Sequence, residues 1–278
     1  LSEIILKLMA KRAEDRYQTV RGLLHDLELA EKILRRGEQA AGFSAGSCDR
    51  TSQFRISEKL YGRENEISKL YSAFKKAAAG SVRVLIVTGD PGIGKSFLIN
   101  EIHRPLVEKK GIFISGKYDS MKRNIPYYAF IAAFRDLVRQ ILTESDSEIE
   151  SWKKSILSSL GGNGRLLLDV IPELELIIGS QPEPEPTGPV ESKNRFNRVL
   201  IDFMSIFADR KHPLVLFLDD LQWIDTDSLN LLEAIMDEAG LGHFLLIGAC
   251  RKDDADLPGL LHVLFDLLRR KLSMVEFI

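Results

Sequence analysis

Short apolar runs alternate with amphipathic, helix-like segments along most of the chain. Runs that predict strands lie at 83–88, in GIFISGK, PLVLFLDD and HFLLIGAC, and in the final SMVEFI. Between them, apolar residues recur at helical spacing at about 64–79, 94–108, 128–142, 148–178 (with a break at GGNG), 191–209 and 257–270. Continuously apolar strands are typical of a sheet that is buried on both faces. The alternation therefore predicts an α/β fold with a parallel sheet.

The first part of the chain has a different pattern. Residues 1–36 place apolar side chains at helical spacing on either side of the polar stretch AKRAEDRYQT, which predicts two helices joined by a loop. Residues 37–58 are mostly small or polar without periodicity, and we interpret them as a linker. The predicted globular domain covers 59–278. Because the sequence begins inside a helical pattern and stops in a predicted strand, we expect a fragment of a longer protein.

The net charge of the chain bears on whether nucleic acid or a membrane surface is a partner. The sequence has 38 Lys and Arg against 40 Asp and Glu, a formal net charge of −2. Proteins that bind nucleic acid or anionic membrane surfaces usually have a basic excess, so neither class of partner is indicated. Cys48 and Cys250 belong to no CxxC pair, which argues against a zinc site or disulfide framework and favours the cytoplasm. No apolar run reaches the ~18 residues of a membrane span.

The segment GDPGIGKS (89–96) follows a predicted strand and opens a predicted helix. It matches the phosphate-binding pattern G-x-x-x-x-G-K-[ST], and its strand–loop–helix setting disfavours the alternative of an ordinary turn. In such loops glycines let backbone N–H groups converge on phosphate, while the lysine reaches the β- and γ-phosphates and the serine hydroxyl contacts Mg²⁺. We expect Lys95 to act in catalysis and Ser96 to bind the metal. The predicted nucleotide-binding residues here are Gly89, Asp90, Pro91, Gly92, Ile93, Gly94, Lys95, Ser96 and Phe97.

Two acidic residues end the strand in PLVLFLDD. Asp219 is predicted to orient Mg²⁺ through water, and Asp220 is a candidate catalytic base that would polarise the attacking water. The alternative is a solvated loop that happens to begin with two carboxylates. Arg251 follows the strand in HFLLIGAC and is a candidate sensor of the γ-phosphate. A surface arginine with ordinary ion pairs is an equally good interpretation of that residue.

The AAA+-related ATPase domain of the STAND signal-transduction NTPases resembles this chain in four ordered segments, YGRENEI, VTGDPGIGKS, FLDDLQWID and LIGACRKDD. The resemblance implies a three-layer P-loop fold of the ASCE type that binds ATP and Mg²⁺. It also implies that Tyr61, Gly62 and Arg63 help to hold the nucleotide near its adenine. The sequence departs from the family at Cys250, where an aromatic residue is more usual.

Two longer stretches, residues 116–142 and 194–225, are similar to large bacterial signalling proteins. In those proteins a serine/threonine kinase domain precedes such an ATPase, and GAF and histidine kinase domains follow it. Residues 1–36 resemble the last two helices of a protein kinase C-lobe, with Arg16 at the position of its structural arginine. The chain lacks the glycine-rich and catalytic loops of a kinase, so no kinase activity is expected within it.

These motifs leave two functions open. One is a switch that binds Mg²⁺-ATP and resets by slow hydrolysis, which would make the chain an ATPase. The other is a nucleotide-dependent binding or oligomerisation scaffold with little or no hydrolysis. In either case the expected partners are ATP or ADP, the kinase, GAF and histidine kinase domains of the same polypeptide, and a further copy of the chain. A third interpretation is that the parent protein acts mainly as a kinase, for which residues 1–36 are the support.

Overall fold

A computed structural model of the chain describes residues 2–10, 16–17, 19–36, 44–46, 62–238, 240–251, 259–270 and 275–277. The chain divides into two compact units, 1–59 and 60–278. The first unit contains the two helices that the periodicity predicts, α1 (Ser2–Leu8) and α2 (Val20–Arg36). Asp26 of α2 is buried and accepts hydrogen bonds from the Tyr17 hydroxyl and the Gly46 N–H. The predicted linker, apart from a turn at 44–46, lies outside the described residues.

The second unit is built on a parallel sheet. Its strands are β1 (Val82–Thr88), β2 (Ile112–Lys117), β3 (Leu214–Asp219), β4 (Phe244–Cys250) and β5 (Val275–Phe277). They lie in the order β2-β3-β4-β1-β5, and every neighbouring pair is parallel. Strand β4 is therefore inserted between β1, which leads into the glycine-rich loop, and β3, which leads into the acidic pair. The predicted α/β fold with a parallel sheet is confirmed.

Helices connect the strands and cover both faces of the sheet. In chain order they are α3 (Glu64–Ala78), α4 (Lys95–Asn100), α5 (His103–Glu108), α6 (Tyr128–Ile141), α7 (Asp146–Leu160), α8 (Gly164–Leu168), α9 (Glu175–Ile178), α10 (Pro189–Phe207), α11 (Thr226–Asp237) and α12 (Gly259–Arg270). The single helix predicted over 94–108 is wrong, because the segment forms α4 and α5. Pro105 lies in the first turn of α5, where its missing N–H costs little, whereas inside one continuous helix it would break the hydrogen-bond ladder.

Alternate side chains of the strands enter two separate hydrophobic clusters. One side of the sheet packs against α3, α4 and α5, and its strand residues include Leu85, Val215 and Ile247. The other side packs against α6, α7 and α10, where aromatic rings from Phe134, Phe203 and neighbouring residues are in contact. This two-residue alternation is the side-chain period of a strand, and it explains why the runs are apolar throughout.

The close approach of α6 to β2 depends on one glycine. A Cβ added at Gly116 would lie 2.0 Å from the carbonyl oxygen of Ala129, so only glycine fits there. Among the described residues, no helix is both long enough and apolar enough to cross a lipid bilayer.

The carboxyl ends of the strands meet at one edge of the sheet. Thr88 is paired with Cys250, so the glycine-rich loop starts beside Arg251. Lys117 is paired with Asp219, so the last residue of β2 lies beside the acidic pair. In open parallel sheets ligands bind at this edge.

Candidate functional site

The glycine-rich loop between β1 and α4 adopts backbone conformations that require glycine. Gly92 has φ 81° and Gly94 has φ 96°, both in the left-handed region that residues with a Cβ rarely occupy. Gly94 directly precedes Lys95, the first residue of α4. The commonest tight turn, type I, needs no such residue, whereas here two of them curve the backbone over 89–94. This is the local conformation that a phosphate-binding loop needs.

The side chain of Lys95 lies within the curve of this loop. Its ammonium group donates hydrogen bonds to the carbonyl oxygens of Gly89 and Asp90, at 2.7 and 3.0 Å. Ser96 and Phe97 are exposed at the start of α4. The ammonium group of Lys95 therefore lies on the concave side of the loop, and the exposed hydroxyl of Ser96 lies where the loop meets α4.

The segment before α3 reaches the same loop. Arg63 donates from Nη2 to the carbonyl oxygen of Ile93 at 3.4 Å, and its Nη1 forms an ion pair with Glu66 at 3.2 Å. Together with Lys95 and Thr88, Arg63 lines a small cavity beside the loop. Gly62 is exposed with φ 72°. Tyr61, which was predicted to act with these two residues, lies outside the described residues.

The acidic pair lies at the end of β3. One carboxylate oxygen of Asp219 accepts the N–H of Asp220 at 2.9 Å. Asp220 has φ 55°, a left-handed conformation that aspartate tolerates better than most residues. Its Oδ1 accepts a hydrogen bond from the buried Gln222 side chain at 2.8 Å.

Lys117 forms ion pairs with both acidic residues. The sequence patterns did not indicate this role. The Nζ of Lys117 lies 3.0 Å from Oδ2 of Asp220 and 3.6 Å from Oδ2 of Asp219. A charged residue that ends a strand has no distinctive local pattern. Its role follows only from the pairing of β2 with β3, which puts Lys117 directly beside Asp219.

These contacts shift the pKa of both partners. Burial alone would raise the pKa of Asp220, but hydrogen bonds from Lys117 and Gln222 and the charges of Lys117 and Arg251 outweigh it, so its pKa lies below the ordinary value. The hydrogen bond to Asp220, followed by the charges of both carboxylates, raises the pKa of Lys117. The lowered pKa of Asp220 and the raised pKa of Lys117 keep these two partners oppositely charged at neutral pH.

Arg251 lies at the same edge, one residue beyond β4. It is exposed, and its charge contributes to the lowered pKa of Asp220. The structure thus brings Arg251, the glycine-rich loop and the acidic pair to one side of the sheet.

The donors at this edge fit Mg²⁺. Magnesium prefers oxygen ligands and is usually held by one or two protein groups together with phosphates and water. Ser96 offers a hydroxyl from the start of α4, and Asp219 offers a carboxylate from the end of β3. Among the described residues, no group of three or more His, Cys, Asp or Glu side chains could hold a metal by itself. The donor set suits a metal that is shared with bound phosphate.

Curated proteins of similar sequence include signalling kinases. The hybrid signal transduction histidine kinase G of Dictyostelium discoideum is 35% identical over 257 residues, which cover 85% of this chain and 7% of that protein. Histidine protein kinase 1 of Candida albicans is 24% identical over 277 residues, which cover 85% of this chain and 11% of that protein. The chain therefore corresponds to a small part of each of these two relatives.

Family and structure comparisons concern the domain itself. Among solved structures, Cdc6p from Pyrobaculum aerophilum gives a TM-score of 0.45 at 16% sequence identity, over 81% of this chain and 47% of that one. The AAA ATPase domain family matches residues 59–247, which include the glycine-rich loop and the acidic pair. This match covers more than half of the sequence. The chain therefore belongs to the AAA ATPase domain family.

Proposed function

We propose that the second unit binds Mg²⁺-ATP and acts as a nucleotide-controlled switch that hydrolyses ATP slowly. The observation that carries this proposal is the loop at 89–96, with its two left-handed glycines and inward-facing Lys95, at the same sheet edge as Asp219. Membership of the AAA ATPase domain family supports the choice of nucleotide as ligand.

Each residue of the site has a role in this proposal. Backbone N–H groups of the loop and the Lys95 ammonium group bind the phosphates, and the Ser96 hydroxyl and Asp219 carboxylate hold Mg²⁺. When bound there, Mg²⁺ would supply positive charge that neutralises the phosphates. Asp220 orients the attacking water as the general base, and Arg251 contacts the γ-phosphate. Positioning and charge stabilisation thus supply most of the catalysis, as in other phosphoryl transfers.

The contacts of Asp220 are consistent with slow hydrolysis of ATP. They also favour the second candidate function, a scaffold that binds nucleotide with little or no hydrolysis. Both carboxylate oxygens of Asp220 are engaged, one by Lys117 and the other by Gln222. A carboxylate with a lowered pKa is a weaker base, so it polarises water less effectively. The alternative is therefore a nucleotide-dependent scaffold that scarcely hydrolyses ATP. It is favoured if these contacts persist when nucleotide binds.

The wider setting is also a proposal. The two relatives named above are histidine kinases of much greater length, which supports a role as one module of a larger cytoplasmic signalling protein. Residues 1–36 would then be the end of a serine/threonine kinase domain, with GAF and histidine kinase domains elsewhere in the polypeptide. We also propose that the domain belongs to the STAND subgroup, that the protein is bacterial and that the chain self-associates.

Nucleotide binding is the first test. Titration of the full chain with a fluorescent ATP analogue in Mg²⁺ should give saturable binding that Lys95→Ala abolishes. Lys154→Ala removes an exposed lysine on α7 and is the matched control, which should bind like the wild type. Equal binding by the wild type and Lys95→Ala would refute the site.

Phosphate release distinguishes the two functions. A switch with slow hydrolysis should release phosphate at a measurable rate that Asp220→Asn lowers by about 100-fold, the usual contribution of a general base. Tight nucleotide binding with no release by the wild type would instead identify the scaffold.

A further inference from the structure

A cavity of about 790 Å³ opens at the amino edge of the sheet, opposite the glycine-rich loop. We call it the basal cavity. Its walls come from the end of α3, from α5 and from the turns that precede β3 and β4. The residues that line it include Tyr71, Phe74, Lys109, Arg210, Pro213 and His243. Because all strands are parallel, this edge is separated from the nucleotide site by the length of the sheet.

Hydrogen bonds between the surrounding turns fix the shape of the basal cavity. The N–H of Leu214 donates to the carbonyl of His243 at 2.9 Å, and the N–H of Ile112 donates to the carbonyl of Pro213 at 2.9 Å. The His243 ring also bonds through Nδ1 to the carbonyl of Ala78 at 3.1 Å. Walls joined in this way form a cavity before any ligand arrives, as is usual for small-molecule sites.

The lining combines an apolar floor with cations. Phe74 and Pro213 are buried and Tyr71 is partly buried, so the cavity offers aromatic and aliphatic surface. Lys75, Lys109 and Arg210 surround this floor.

The charge of these cations is not neutralised within the described part of the chain. The side chains of Lys75, Lys109 and Arg210 form no ion pair or hydrogen bond with any described residue. One carboxylate, that of Glu108, lines the same cavity. Three cations against one anion leave a local positive charge in a protein whose net charge is −2. Such a site favours an anion.

We propose that the basal cavity binds a small organic anion in which a carboxylate, sulfonate or phosphate is joined to an apolar or aromatic body. The apolar body would lie on Phe74 and Pro213, and the anionic group would face Lys109 and Arg210. The volume lies within the range of about 300–1,000 Å³ that suits small-molecule ligands. This site is separate from the nucleotide site and stands whether or not the chain hydrolyses ATP.

The probe for this site is 8-anilino-1-naphthalenesulfonate, which carries one sulfonate on an aromatic body. Fluorescence titration of the full chain, in saturating Mg²⁺-ATP, should show one saturable site. Lys109→Gln/Arg210→Gln should weaken probe binding about five-fold or more, because each exposed cation contributes modestly. The control Lys153→Gln/Lys154→Gln makes the same charge change on α7 and should leave affinity within about two-fold.

Two further measurements distinguish recognition of the sulfonate charge from the fit of the aromatic body in the basal cavity. N-phenyl-1-naphthylamine lacks the sulfonate, so its affinity should be the same for the wild type and Lys109→Gln/Arg210→Gln. Ala78→Phe should fill the cavity and remove binding of both probes, with circular dichroism to show that the fold persists. Equal loss in both charge variants, no saturable binding of the sulfonate in the presence of Mg²⁺-ATP, or unchanged binding in Ala78→Phe would each overturn the proposal.

Discussion

Replacement of Lys117 by methionine tests the interpretation of the acidic pair most directly. Methionine keeps much of the length of the side chain and removes its charge, so Asp219 and Asp220 lose their shared cation. The pKa of Asp220 then rises, because the hydrogen bond and the charge that lower it are gone and burial, which raises it, remains. We expect tighter apparent binding of Mg²⁺ and a faster release of phosphate by the variant at neutral pH.

The expected magnitude follows from the exposure of the ion pair. The Lys117 side chain is 67% exposed and each carboxylate 23%, so the interaction is largely screened by solvent. Exposed pairs contribute about 0.2–1 kcal/mol each, which puts two contacts at about 1 kcal/mol together. That free energy corresponds to about a five-fold change in metal affinity or in rate.

Phosphate release measured against Mg²⁺ concentration and against pH checks this reasoning. In Lys117→Met the half-saturating Mg²⁺ concentration should fall about five-fold. The acid limb of the pH–rate profile should move to higher pH, since a base with a higher pKa loses its charge at a higher pH. Lys122→Met is the control, because that ammonium group bonds to Tyr128 and not to the acidic pair. An unchanged acid limb, or a rate as low as that of Asp220→Asn, would refute the account.

Three other substitutions test the fold. Gly116→Ala should lower the free energy of unfolding by about 2 kcal/mol or more in urea titrations, because its Cβ would overlap the carbonyl of Ala129. Asp225→Ala should cost about 1–2 kcal/mol in the same assay, since this buried carboxylate caps α11. The hydrogen bond from Arg135 lowers the pKa of Glu173 below its ordinary value near 4.5, so the pair stabilises the fold above that pH and is lost on acidification. Glu173→Gln should therefore flatten the fall in melting temperature below about pH 4.5; an unaltered acid response would show that the pair contributes nothing.

Much of the fold could be predicted from the sequence because its signals are local. A strand buried on both faces must be apolar throughout, so β3 and β4 stand out in the printed sequence. The spacing of the phosphate-binding pattern alone points to the left-handed Gly94, whereas the left-handed Gly92 lies at a position that the pattern leaves unspecified. Helix α11 was missed although its sequence carries helix signals, namely the capping residue Asp225 and buried apolar residues at helical spacing, such as Leu229, Leu232 and Ile235.

The site was less predictable because part of it depends on long-range pairing. Nothing near Lys117 in the sequence distinguishes it from other exposed lysines. Its position is set by the register between β2 and β3, which are separated in the sequence by the five helices α6 to α10 and a proline-rich loop. Asp219 and Arg251 lie at the carboxyl edge of the sheet because each follows or ends a parallel strand, and this could be predicted from the sequence. The side-chain contacts between residues from different strands at that edge could not.

The left-handed backbone at Asp220 restricts which acid can occupy that position. Aspartate enters this conformation with little penalty, because its short side chain can hydrogen-bond locally, whereas for most L-residues it costs roughly 1–2 kcal/mol. Glutamate would extend the carboxylate by one methylene group toward bound nucleotide, but it would carry more of that penalty and would lose the fitted contact with Gln222. The turn after β3 therefore selects the shorter acid, so in the proposed mechanism the reach of the base would be limited by backbone geometry and not by its acidity.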